Sequence, residues 1–151
     1  MKKEPLIVLL TDFSDASYEA FEPALDLAKR LGGRIALLHV VQELMAIPHG
    51  APLAPPVAMP ADQMDALMKQ AEKDMGEAKV ELGDGVPVTT QVLNAGNVYE
   101  AVHQFAKEND ADFVALATHG RTGLRRVVLG SVGEAVLRHS NVPVILFPLR
   151  K

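Results

Sequence analysis

This chain predicts an α/β fold: a single doubly wound, open parallel five-stranded sheet in the order 3-2-1-4-5, with helices on both faces. Three observations predict it. Five short apolar runs, at residues 6–10, 34–41, 86–93, 112–118 and 142–147, are mostly continuous rather than alternating, as in strands covered on both faces. Segments with apolar residues at helical spacing separate them, and strands that alternate with helices imply a parallel sheet with right-handed crossovers. Proline enters the third and fifth runs but spares the first and fourth. A central strand needs its backbone donors, so the first and fourth are expected inside and the other two at the edges.

Each element follows from local chemistry. The chain opens MKKEPLIVLLTD. Two lysines before an apolar run resemble the start of a signal peptide. The run LIVLL is too short for one, and no A-x-A pattern follows, so a strand is expected. Residues 14–31 carry Ala20, Phe21, Ala24, Leu25, Ala28 and Leu31 at helical spacing, with Gly32-Gly33 as a stop. Pro23 inside this segment lacks a backbone donor, so it is expected to kink the helix or move its start. The second strand is RIALLHVV. Next comes IPHGAPLAPPVAMP at 47–60, with five of the ten prolines. It is excluded from helix and inner strand and is expected as a long loop, a flap or a surface excursion.

The second helix is marked by Met64, Leu67, Met68, Ala71, Met75, Ala78 and Leu82, a methionine-rich stripe best read as core packing. Pro87 opens the third strand. Asn97 is a plausible N-cap with Glu100 three residues on, and Val98, Ala101, Val102, Phe105 and Ala106 turn inward. The fourth strand is DFVALAT. The fourth helix starts near Ser131 and ends near His139-Ser140-Asn141, and VPVILF completes the sheet.

Composition bounds the function. The chain has 151 residues, 48% hydrophobic and 23% charged, and reads as one domain over 1–151. Its net charge of −4 argues against general binding to nucleic acid or to an anionic membrane. No cysteine is present, which excludes disulfides, thiolate metal sites and cysteine nucleophiles. Nothing approaches the ~20 apolar residues of a membrane helix, and a cytoplasmic location is expected.

In open α/β sheets, ligands bind beyond the carboxyl ends of the strands where the winding reverses, here between the first and fourth strands. The loops at that point are TDFSDAS (11–17) and the glycine-rich stretch within ATHGRTGLRRVVLGSVGEAV (117–136). Asp12 either accepts hydrogen bonds from ribose hydroxyls or holds a metal-bound water, or else caps the first helix in competition with Ser14 and Asp15. Gly120 and Gly123 permit close backbone approach to a ligand. Gly130-Ser131 lead into a helix whose N-terminus favours anions. Ser131 and Glu134 also read as a capping box, S-V-G-E. Arg121, Arg125 and Arg126 either neutralise phosphate or form a solvated face. His119 lies in the same loop.

Familiar motifs are absent. The Walker sequence, a G-x-G-x-x-G after the first strand, the acidic and lysine set of a receiver domain, and the nucleophile elbow G-x-S-x-G do not occur. The five histidines show no metal-ligand spacing.

TDFS, ALLHVV, THGRTGL and LGSVGEAVLRHSNVPVILF together resemble the universal stress protein family, A-type, across nearly the whole chain. Members of that family that bind ATP carry G-x2-G-x9-G-[ST] in the last region. Gly120, nine intervening residues and Gly130-Ser131 match its second half, and Ala117 stands at the first glycine. The resemblance implies a Rossmann-like, adenine nucleotide alpha hydrolase-like fold and homodimers paired through the fifth strand. It implies ATP as ligand, with or without Mg²⁺, and a ligand-responsive regulatory module in stress response. By position it puts Asp12, beside Thr11, at the ribose and Val40 at the adenine. Ala117, His119 and Gly120 would line the triphosphate loop, and Gly130, Ser131 and Val132 would hold phosphate. The family also has members that work without nucleotide, through protein contacts. Slow hydrolysis ranks last, because no dedicated general base is evident.

Overall fold

The computed structural model describes residues 4–46, 48–50, 53–118 and 129–149. Its elements run β1 (Leu6–Leu10), α1 (Asp15–Tyr18), α2 (Phe21–Leu31), β2 (Arg34–Gln42), β3 (Met45–Ala46), β4 (Val57–Ala58), α3 (Ala61–Leu82), β5 (Val88–Ala95), α4 (Val98–Glu108), β6 (Phe113–Ala117), α5 (Ser131–His139) and β7 (Val144–Phe147).

The main sheet is parallel in the order β5-β2-β1-β6-β7. Counted along its own strands this is the expected 3-2-1-4-5. β1 is central, with Leu6, Ile7, Val8 and Leu9 fully enclosed. Both proline-marked strands are edges. Pro87 and Pro143 stand just before β5 and β7, where each still offers a carbonyl: to Ile35 N–H at 3.0 Å and to Val114 N–H at 3.0 Å. Asp112 pins the start of β6, its side chain accepting from Leu6 N–H and its own N–H donating to Leu6 C=O, both at 2.9 Å.

Strand alternation divides the core in two. Ile7, Leu9, Ile35, Leu37, Ala115 and Ala117 pack with α2 and α3 on one face. Leu6, Val8, Leu38, Val114 and Leu116 pack with α4 and α5 on the other. No helix among the described residues is long and apolar enough to cross a membrane.

Pro23 moves a helix start rather than kinking a helix. The segment from 14 to 31 is two helices, α1 capped by Ser14 and α2 beginning at Phe21. Pro23 is then the third residue of α2, in a first turn whose N–H groups have no intrahelical acceptor anyway. At the other end Gly32 is left-handed, φ 61°, with its N–H on Lys29 C=O, and Gly33 N–H reaches Ala28 C=O at 2.8 Å. This paired closure is a Schellman motif. Asn97 caps α4 as expected, its side chain accepting from Glu100 N–H.

Two sequence expectations are corrected. The proline-rich stretch is not only a loop, because β3 and β4 pair antiparallel into a short ribbon beside the sheet. Two-residue strands with exposed flanks tolerate neighbouring prolines, since few donors are needed. The methionine stripe of α3 is core only from Ala71 onward, through Met75, Ala78 and Leu82, whereas Leu67 is exposed and Met64 and Met68 are half-buried. A 22-residue helix spans about 33 Å, longer than the roughly 26 Å of the eight-residue β5 beside it, so its opening turns have less sheet to cover.

Gly33 lies against backbone rather than a flexible side chain. A Cβ there would stand 2.5 Å from the Pro5 carbonyl oxygen, which also accepts from Arg34 N–H. Gly33→Ala should therefore lower stability by about 1–3 kcal/mol in urea denaturation. Gly76, inside α3, has nothing within 4 Å of its Cβ position. Gly76→Ala should raise stability by about 0.5–1 kcal/mol, the usual helical difference between the two residues. Equal effects of the two changes would contradict this packing.

Candidate functional site

β1 and β6 are neighbours, yet their following helices go to opposite faces, α1 and α2 to one and α5 to the other. Among the described residues a crevice of about 390 Å³ opens at the carboxyl ends between them. This size suits a small-molecule site.

The crevice brings together Thr11, Asp12, Val40, Ala117, Gly130, Ser131 and Val132. Sequence reasoning had gathered these from four separate stretches. His119 and Gly120 lie outside the described residues, as do Gly123, Arg121, Arg125 and Arg126.

At the end of β1 a network of short polar residues shapes the turn. Thr11 N–H donates to Leu38 C=O at 3.0 Å. The buried Thr11 hydroxyl lies 2.9 Å from the Ser17 hydroxyl and accepts from Phe13 N–H at 3.1 Å. Ser14 caps α1 by accepting from Ser17 N–H. The competition among possible caps is thus settled for Ser14. Asp12 does not cap the helix. Its Oδ1 accepts from the Ser14 N–H at 3.0 Å and from the Ser14 hydroxyl, and the residue lines the crevice. Phe13 then adopts φ 63°, a left-handed conformation that costs a bulky residue about 1–3 kcal/mol.

The opposite end is the start of α5. The N-cap is Gly130, extended at φ −63° and ψ 164°, and no side chain caps the helix there. Of the alternatives at this helix start, the capping box at Ser131 and Glu134 is not adopted. The helix begins one residue earlier than that box requires, so Ser131 is already helical and its hydroxyl no longer occupies the capping position. Glu134 turns away to Arg138 at 2.6 Å, and its N–H makes the first turn's bond to Gly130 C=O at 2.8 Å. The N–H groups of Ser131, Val132 and Gly133 precede that bond at the positive end of the helix dipole. Gly133 allows this end to approach β6, since a Cβ would come within 3.0 Å of Leu116 and Leu129 side-chain carbons.

Ala117 lines the crevice, but its methyl belongs to the opposite face of the sheet. It is the last residue of β6, in register with Phe147, and its side chain packs in the α2/α3 core with Ala115. The crevice is walled by side chains of the α4/α5 core, among them Leu38, Val40, Val102 and Leu116. Alternation along the strand thus points the Ala117 methyl to the opposite face.

Sequence reasoning missed His39, Gln42, Val98 and Val102, which also line the crevice. His39 Nδ1 lies 2.8 Å from the Thr11 carbonyl oxygen, and its ring centroid is 4.3 Å from that of Phe13. Within ALLHVV it was simply part of an apolar run. Val98 and Val102, four apart on α4, carry the same signal as ordinary core. Among the described residues no group of three or more histidines and carboxylates is placed to hold a metal ion.

The model of the universal stress protein family matches residues 6–148. A universal stress protein of Methanocaldococcus jannaschii is 32% identical over 146 residues, spanning 93% of this chain and 79% of that one. In fold, the chain is similar to a protein from the universal stress protein family from Burkholderia pseudomallei, with a TM-score of 0.72, 23% identity and 98% of each chain covered. It is also similar to the universal stress protein from Archaeoglobus fulgidus in complex with dAMP, with a TM-score of 0.64, 20% identity and 95% and 96% of the two chains covered.

The network at Thr11 is testable by stability. Thr11→Val removes a buried hydroxyl that serves both Ser17 and Phe13, and should cost about 1–2 kcal/mol, whereas Thr11→Ser should recover most of the loss. Thermal or urea unfolding of the two variants reads the difference. Indistinguishable variants would show that the hydroxyl holds nothing.

Proposed function

The chain belongs to the universal stress protein family, and on that premise we propose that it binds an adenine nucleotide, foremost ATP with or without Mg²⁺, in the crevice between β1 and β6. The observation that carries this reading is the order of chemistries across the crevice. Apolar Val40, Val98 and Val102 lie toward β2 and α4, Asp12 follows at the end of β1, and the uncapped start of α5 lies beyond β6. An apolar slot suits a base, a carboxylate suits ribose hydroxyls, and helix N–H groups suit phosphate. A nucleotide presents these three parts in the same sequence. Thr11, Ala117 and Gly130 also line the crevice. The dAMP complex of the Archaeoglobus fulgidus protein agrees with this ligand class.

In this reading the protein is a cytoplasmic, ligand-responsive regulatory module of stress response rather than an enzyme, with no part for nucleic acid or membrane. It works as a homodimer through β7, the fifth strand of the main sheet. That strand is an edge, and all four of its residues remain partly exposed. An unpaired apolar edge is a natural template for a second copy.

Denaturing freshly purified protein and analysing the released small molecules tests the ligand, together with calorimetric titration by Mg-ATP and by AMP. Binding in the micromolar to millimolar range is expected, about −8 to −4 kcal/mol. Gly130→Val should weaken it by at least about tenfold, because the backbone at Gly130 admits the substitution and a β-branched side chain would then stand where phosphate approaches the helix start. Absence of released nucleotide together with no heat up to millimolar ATP would leave the nucleotide-free, contact-based reading in its place. Sustained ADP release above a blank would instead promote hydrolysis. Light scattering should give twice the 16.3 kDa chain mass; a single-chain mass at high concentration would refute pairing through β7.

A further inference from the structure

We propose that His39 is the positioning residue for Asp12, and that it thereby decides whether the crevice distinguishes a ribose with hydroxyls from one without. The inference rests on the adenine-nucleotide reading above. His39 follows Leu38, the last residue of β2 in register with β1. Its Nδ1 lies 2.8 Å from the Thr11 carbonyl oxygen. A carbonyl only accepts, so Nδ1 carries a proton and donates. The same ring lies 4.3 Å from the Phe13 ring, centroid to centroid, tilted by 38°. The imidazole thus holds the residue before Asp12 by its carbonyl and the residue after it by its ring.

Between these two grips the backbone makes the left-handed turn at Phe13, φ 63°. A phenylalanine keeps that conformation where its surroundings enforce it. The Thr11 hydroxyl enforces it from within the turn by accepting from Phe13 N–H. His39 enforces it from the neighbouring strand, 28 residues away. Asp12 is the residue suspended between them, and its Oδ1 is oriented by Ser14. The turn that carries the carboxylate to the crevice is therefore held by a side chain that need not touch the ligand.

Wild-type protein carries the first part of the test. Nitrogen-15 imidazole spectra should show His39 as the Nδ1–H tautomer; an Nε2–H tautomer overturns the proposal. The second part measures AMP and 2′,3′-dideoxy-AMP by calorimetry on wild type, His39→Phe and His39→Asn, with thermal midpoints recorded for each. His39→Phe keeps a ring beside Phe13 but has no donor, and His39→Asn returns an N–H near the place of Nδ1. Wild type should prefer AMP on the order of tenfold, the value of one hydrogen bond to a charged group. The preference should shrink to about twofold or less in His39→Phe and return in His39→Asn. A preference that survives in His39→Phe, or that is lost equally in both variants, overturns the proposal. If wild type binds neither nucleotide, the nucleotide reading fails by itself. The tautomer, and the HN–Hα coupling of Phe13 in wild type against His39→Phe, then decide the positioning role: an unchanged coupling overturns it.

Discussion

A strand with neighbours along both edges and helices on both faces can release its chain only at its ends. β1 is in that position, enclosed at four of its five residues and paired with β2 and β6. The sequence immediately after it must therefore satisfy every backbone group that the ladder no longer serves. Thr11 does so with its N–H on Leu38, its carbonyl on His39 and its hydroxyl between Ser17 and Phe13. The turn that presents Asp12 is a consequence of how a buried strand terminates. Its helix leaves to one face while the helix after β6 leaves to the other, and the crevice lies between them.

Burial and polarity are divided along that crevice. Most of its apolar wall is the margin of the α4/α5 core, formed by residues that already hold the helices down. Thr11, Asp12 and Ser131 come from two chain reversals, where backbone groups are available because regular structure begins or ends, while His39 and Gln42 come from β2. Gly133 allows the start of α5 close enough to Leu116 to complete the wall. The Ala117 methyl, by contrast, belongs to the other core altogether.

The fold was legible because its signals are local and repeated. Continuous apolar runs, helical spacing and prolines at two strand starts each depend on neighbours a few residues apart. The crevice was legible in outline for the same reason, since Asp12 and Gly130 follow or precede regular elements. Harder to read were features that depend on competition. Pro23 admits a kink or a shifted start, and α2 adopts the latter because a separate cap at Ser14 starts α1. Ser131 and Glu134 have capping-box spacing, but a helix beginning after an extended Gly130 makes Ser131 its first residue, and Arg138 draws Glu134 along the helix.

By itself the sequence determined the class of the sheet, its strand order, the two loops that meet at its switch point, and the family, all of which reside in residue type and spacing. Tertiary structure alone decided which side of a strand a methyl group faces, which of two caps a helix uses, and that His39 reaches the carbonyl of Thr11. Those outcomes turn on contacts between segments far apart along the chain. The register of β2 against β1, which no local pattern encodes, places the imidazole beside the turn at Asp12.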